Sequence, residues 1–164
     1  MAEDEPEWDA AQEGAELIAE GEIDAAIQAL EALIAEQPQN AYAYYYLGSA
    51  HYEHAEYAKA LKAYVKSLEL APDYLGAMVN AGHALRMLGR HPEAIRMAQQ
   101  VLARAPHDAD ALYLVGACCF ARGDDARAVE YLERFLHTNP ELEVAQEVHG
   151  MLQLLRDKSS SELN

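Results

Sequence analysis

Residues 41–74 read AYAYYYLGSAHYEHAEYAKALKAYVKSLELAPDY. The segment contains two runs, AYAYYYLGSAHYEH and EYAKALKAYVKSLEL, that each space apolar residues three and four apart, as one face of a helix requires. A short polar turn joins them, and Pro72 follows the second run. Two helices, a turn and a proline therefore make one unit of structure.

Outward from this segment the unit repeats. Pro38, Pro72, Pro106 and Pro140 are separated by 34 residues each, and Gly14, Gly48, Gly82 and Gly116 keep the same interval. So do Ala26, Ala60, Ala94 and Ala128. With the proline at position 32, the units run 7–40, 41–74, 75–108 and 109–142. Position 15, in the turn, is Gly21, Gly89 and Gly123 in units one, three and four, and Ala55 in unit two; glycine there suits the end of a helix. Pro92 fits the first turn of a second helix, where a missing N–H costs little. Glycine at position 8 and alanine at position 20 mark where the paired helices approach closely.

The pattern resembles the tetratricopeptide repeat, a 34-residue helix-turn-helix unit with preferred residues at positions 4, 7, 8, 11, 20, 24, 27 and 32. Unit two supplies Tyr44, Leu47, Gly48, His51, Ala60, Tyr64, Ser67 and Pro72 at those positions. Units three and four supply Met78, Ala81, Gly82, Leu85, Ala94, Ala98, Val101 and Pro106, and Leu112, Val115, Gly116, Cys119, Ala128, Leu132, Phe135 and Pro140. The first unit departs, with Ala10 at position 4 and Glu13 where an apolar residue is preferred, which predicts a loosely packed or shifted first helix. The resemblance implies an all-α fold, a right-handed α-solenoid of four repeats in one domain over 7–157. Residues 143–157, with Val144, Val148, Met151, Leu152 and Leu155 on one face, read as a capping helix that closes the array. Residues 1–6 and 158–164 are expected to be disordered.

In this family the first helix of each unit lines a concave side through positions 2, 5, 9 and 12. The resemblance thus implies a peptide-binding groove of Tyr42, Tyr45, Ser49 and Tyr52 from unit two, Val79, His83 and Arg86 from unit three with Asn80 at position 6, and Tyr113, Ala117 and Phe120 from unit four. Tyr44, at position 4, is expected in the core. Aromatic side chains give large contact area at low entropy cost and concentrate where peptides are held. The alternative is that the rings pack on one another and bind nothing. Trp8, at position 2 of the first unit, is read as local packing, with groove lining as the alternative.

Two specialised versions of the family do not fit. The clamp for a chaperone's terminal carboxylate needs Lys, Asn and Arg in slots that read Tyr45, Ser49, Asn80, Asp110 and Leu114, of which only Asn80 matches. An asparagine ladder needs Asn at position 6 throughout, where units two and four have Tyr46 and Leu114.

The formal charge is -16, and residues 1–58 hold fourteen acids and no Lys or Arg, so a nucleic-acid surface is excluded on charge. The acidic edge is either a solvated, solubilising face or an attraction for a basic partner. MAEDEPEW has neither a basic nor an apolar leader region and no apolar run approaches a membrane span, which predicts a cytoplasmic protein without membrane insertion. Cys118 and Cys119, adjacent in an apolar run, read as buried core. His51 and His54 lie three apart on a helix but have no third ligand at a recognisable spacing, so no metal is expected. No catalytic motif or cofactor-binding loop is present, and no cofactor is expected.

These readings predict a non-enzymatic adaptor whose groove holds a segment of another protein. One alternative is a self-assembling scaffold, a homo-oligomer joined through the ends of the array. Another is a chaperone similar to the class II chaperones of bacterial type III secretion.

Overall fold

The computed structural model describes residues 5–162, which form nine α-helices and no strand. The chain divides into two compact units, Met1–Gly89 and Arg90–Asn164, where the sequence reading expects one domain. The division falls in the turn of the third repeat. Repeat arrays permit this because each helix packs only on its neighbours.

The first unit holds α1 (Glu5–Ala19), α2 (Ile23–Glu36), α3 (Ala41–Glu53), α4 (Tyr57–Leu70) and α5 (Leu75–Met87). Each helix packs on the next, and α3 also meets α1 and α5. Ala26, Leu30 and Ala50 form one core cluster, with Leu17, Ile18, Ile27 and Leu47 against it. Ala60, Tyr64, Ala81 and Ala84 form the next, with Tyr45 and Tyr52 at its edge.

The turns follow the repeat. Gly21 sits at φ 81 between α1 and α2, where the Glu22 N–H reaches the Leu17 carbonyl at 2.9 Å and closes the helix end. Ala55 adopts the same left-handed conformation, φ 57, between α3 and α4, with the equivalent Glu56 to His51 bond at 2.9 Å. A side chain is strained there, since left-handed backbone suits glycine.

The close approach at position 8 is made against position 24. A Cβ on Gly14 would lie 2.5 Å from Leu30, and one on Gly48 would lie 2.6 Å from the Tyr64 ring. The first helix is therefore neither loose nor shifted: Ala11 and Gly14 are buried, Ala10 is half-buried, and Glu13 lies on the exposed side. Asn40 adds a tie across the unit. It is buried, and its side-chain amide donates to the Glu7 carbonyl and to Gln37 Oε1, both at 2.9 Å, while its Oδ1 caps α3 through the Ala43 N–H at 3.0 Å.

The second unit holds α6 (His91–Arg104), α7 (Ala109–Arg122), α8 (Asp125–Leu136) and α9 (Leu142–Glu162). Leu112, Leu132, Phe135, Val148 and Leu152 form its core, so α9 covers the apolar face of α8. Asp108 caps α7 through the Ala111 N–H at 2.8 Å, and Gly123 ends it at φ 74. Cys118 and Cys119 are buried. The helix runs from 142 to 162, beyond the expected 143–157, because 158–162 carry no proline or glycine to stop it. At the other end α1 already includes Glu5 and Pro6, a first-turn proline. The remaining terminal residues, 1–4 and 163–164, lie outside the described residues.

Candidate peptide-binding site

Two of the first unit's three repeat-opening helices, α3 and α5, are brought side by side with α4 behind them. Between them lies a hollow of about 390 Å³. Its wall includes Ser49 and Tyr52 from α3, and Asn80, His83 and Arg86 from α5. Glu53 and the edge of Tyr64 complete it.

Hydrogen bonds fix the polar groups of this wall. The Tyr64 phenol donates to Ser49 Oγ at 3.2 Å, and Ser49 Oγ donates to the Tyr45 carbonyl at 3.2 Å. Asn80 Nδ2 donates to the Tyr45 phenol oxygen at 3.1 Å. Burial raises the Tyr64 phenol pKa well above its ordinary value, so the ring stays neutral and remains a donor. Burial also raises the Tyr52 phenol pKa, against the opposing effect of the Arg86 guanidinium, which hydrogen-bonds to it. His83 is held at a pKa of about 4, by burial first and by the charge of Arg86 second. At neutral pH the hollow therefore presents a guanidinium, a neutral imidazole, an amide, a hydroxyl and phenols, with one carboxylate at Glu53. Such a set suits the carbonyls and N–H groups of a polypeptide backbone, with rings to receive an apolar side chain.

The remaining candidates are placed differently. Tyr45 is half-buried and packs its ring on Tyr46, Tyr64 and Tyr74, with centroids 5.0, 6.0 and 4.8 Å away. Tyr42 meets Tyr74 edge-on at 5.5 Å. Val79 is buried, 5% exposed, and Ala117 is 7% exposed, so the structure corrects both as groove residues. Their side chains are too short to rise past their neighbours, whereas the tyrosine at the slot of Val79 in the preceding repeat extends to Tyr74 and Asn80. In the second unit Tyr113 packs on Phe135 at 5.4 Å and donates to Glu147 at 2.9 Å, and Phe120 is half-buried. Tyr44 is half-buried and not core; it lines an outer hollow with Leu47, Leu61 and Val65. The histidines of the metal pair turn to carboxylates, His51 to Glu56 at 3.3 Å and His54 to Asp24 at 2.8 Å.

One aromatic residue takes a place that the sequence reading did not assign, and a second takes the alternative of its two expected roles. Tyr74 stands at position 34, where Asn40 and Asp108 cap the next helix; it gives up that cap and lends its ring to Tyr42 and Tyr45. A tyrosine in a capping slot was the available signal. Trp8 is 42% exposed and lines a second hollow beside Tyr42, so of its two expected roles the lining of a hollow fits and local packing does not.

A family model described as the cytochrome c-type biogenesis protein H TPR domain matches residues 8–143. Superkiller complex protein 3 of Mus musculus is 28% identical over 123 residues, 71% of this chain and 8% of that protein. The chain spans less than a fifth of the length of the curated relatives it matches first. Among solved structures, MamA 41-end from Desulfovibrio magneticus RS-1 superposes with a TM-score of 0.79 at 21% identity, covering 95% of this chain and 90% of that one. The second TPR domain of human RPAP3, in complex with the HSP70 peptide SGPTIEEVD, gives 0.64 at 22% identity over 70% of this chain and 97% of that one. These likenesses show the fold, an all-α tetratricopeptide repeat solenoid.

Proposed function

Since the chain belongs to the family of the cytochrome c-type biogenesis protein H TPR domain, we propose that it is a non-enzymatic adaptor that holds a peptide segment of another protein at the hollow between α3 and α5. The observation that carries this reading is convergence: Ser49, Tyr52, Asn80, His83 and Arg86, from two successive first helices, line one hollow of about 390 Å³. That volume is within the range of ligand sites and takes one or two side chains with their backbone. Arg86 and Asn80 supply donors for peptide carbonyls, the neutral His83 ring supplies one further donor or acceptor, and Tyr52 offers a ring face. Tyr45 and Tyr64 orient these groups from behind. The RPAP3 domain, of the same fold, holds a peptide.

A photo-crosslinking residue placed at Tyr52, with Gln28 on the exposed side of α2 as the control position, tests the reading. Crosslinks from position 52 to one defined segment of another protein, not formed from position 28, are expected. The same products from both positions would end it. A second reading, self-assembly, is favoured by α9, where Leu142 and Leu154 are 75% and 62% exposed. It predicts crosslinks to a second copy and a scattering mass that rises with concentration.

A further inference from the structure

A hollow of about 1040 Å³ in the first unit lies apart from the one at Arg86. Trp8, Tyr42 and Tyr74 supply its rings, and Leu70, Pro72 and Leu75 its aliphatic wall. Glu7 and Asp73 add carboxylates to the same lining. Its lining thus sets carboxylates beside aromatic faces. We propose that this hollow is a second binding site, which seats a lysine or arginine side chain of a basic polypeptide segment.

Four observations support the assignment. An aromatic ring attracts a cation through its negative face, most strongly for Trp, and the attraction grows where water is partly excluded. The rings are held in place: Tyr74 lies 5.5 Å from Tyr42 and 4.8 Å from Tyr45, both centroid to centroid. The floor is tied as well, since the buried Asn40 amide grips the carbonyl of Glu7 from 33 residues away at 2.9 Å. Position 74 gives up the helix cap that Asn40 and Asp108 provide at the equivalent places, so its ring is kept at the cost of local helix stability. Charge agrees: residues 1–58 contain fourteen acids and no Lys or Arg, which draws a basic segment to this unit over a longer range. The Arg86 hollow carries one guanidinium and one carboxylate, Arg86 and Glu53, and so has no net charge to draw a basic side chain; the two sites suit different parts of a partner.

Trp8 is the only tryptophan of the chain and reports directly on the hollow. The probe is a blocked nonapeptide of alternating glycine and arginine, compared with its glycine–citrulline counterpart, which has nearly the same shape and no charge. The arginine peptide should change Trp8 emission saturably and bind about tenfold or more tighter than the citrulline peptide, with the difference shrinking as salt rises. By calorimetric titration, Trp8→Ala and Tyr74→Leu should each weaken the arginine peptide about tenfold, and Glu31→Gln, on the exposed side of α2, should not. Trp8 is 42% exposed, so Trp8→Ala should keep the unit folded in a melt run beside the titration, and the test survives even if Tyr74→Leu unfolds it. Equal binding of the two peptides, equal weakening by Glu31→Gln and Trp8→Ala, or the lack of any saturable signal would each overturn the proposal.

Discussion

Gly48→Ala sets two effects of similar size against each other, and the structure decides their sign. A glycine inside a helix costs about 1 kcal/mol relative to alanine, so in open space the substitution stabilises. At position 48 the new Cβ would lie 2.6 and 2.7 Å from Cε1 and Cδ1 of Tyr64. That ring is 2% exposed, packs against Tyr45 and is held by its bond to Ser49, so it has no easy way to yield. Overpacking of this kind costs about 1–3 kcal/mol, and after the propensity gain of about 1 kcal/mol a net loss of up to about 2 kcal/mol is expected. Gly150, with nothing within 4 Å of its would-be Cβ, is the internal control: Gly150→Ala should gain up to about 1 kcal/mol. Urea unfolding followed by Trp8 emission reads the first unit and circular dichroism reads the whole chain. The double variant gives the sharper check. In a Tyr64→Ala background the clash is gone, and Gly48→Ala should turn from harmful to neutral or stabilising. If Gly48→Ala stabilises the parent as Gly150→Ala does, the close approach of α3 and α4 at this point is wrong.

Ala55→Gly should stabilise by about 0.5–1 kcal/mol, because Ala55 holds φ 57 in a turn whose equivalents are glycine; a loss in the urea midpoint would contradict the turn geometry. His83, with a pKa of about 4 against 6.5 unfolded, favours the neutral ring in the fold, so stability is lost as pH falls below 6.5, by about 2 kcal/mol at pH 5. His83→Gln should therefore lose about that much less than the parent between pH 7 and 5, and equal losses would show that the ring is not desolvated. Tyr64→Ala should cost about 3 kcal/mol of stability, whereas Tyr52→Ala, half-buried at the rim of its hollow, should cost much less; equal costs in one calorimetric series would remove the distinction between core and rim.

The repeat was legible because its signals are local. Each proline, turn glycine and close-packing glycine answers a backbone demand that recurs every 34 residues, and Ala55 shows the demand most plainly by meeting it without a glycine. The site was legible only in part, because repeat position gives a direction and not a reach. Ser49, Tyr52, Asn80, His83 and Arg86 line the hollow, whereas Val79 and Ala117 are short and buried among their neighbours. Tyr74 was missed, and Trp8 placed first in local packing, for another reason. They act from a capping slot and from the first turns of α1, and are brought to Tyr42 by packing between hairpins, which no single repeat encodes. The doubt over the first helix was misplaced because Gly14 and Leu30, rather than Ala10 and Glu13, fix its seat.

The central claim is that a peptide sits between α3 and α5, and the most direct test titrates the segment crosslinked at position 52 against three variants by calorimetry. Tyr52→Ala and Asn80→Ala should each weaken binding about tenfold or more with little change in melting temperature, while Gln99→Ala, exposed on α6, should leave binding unchanged. Full affinity retained by both Tyr52→Ala and Asn80→Ala, in proteins that melt as the parent does, would contradict it.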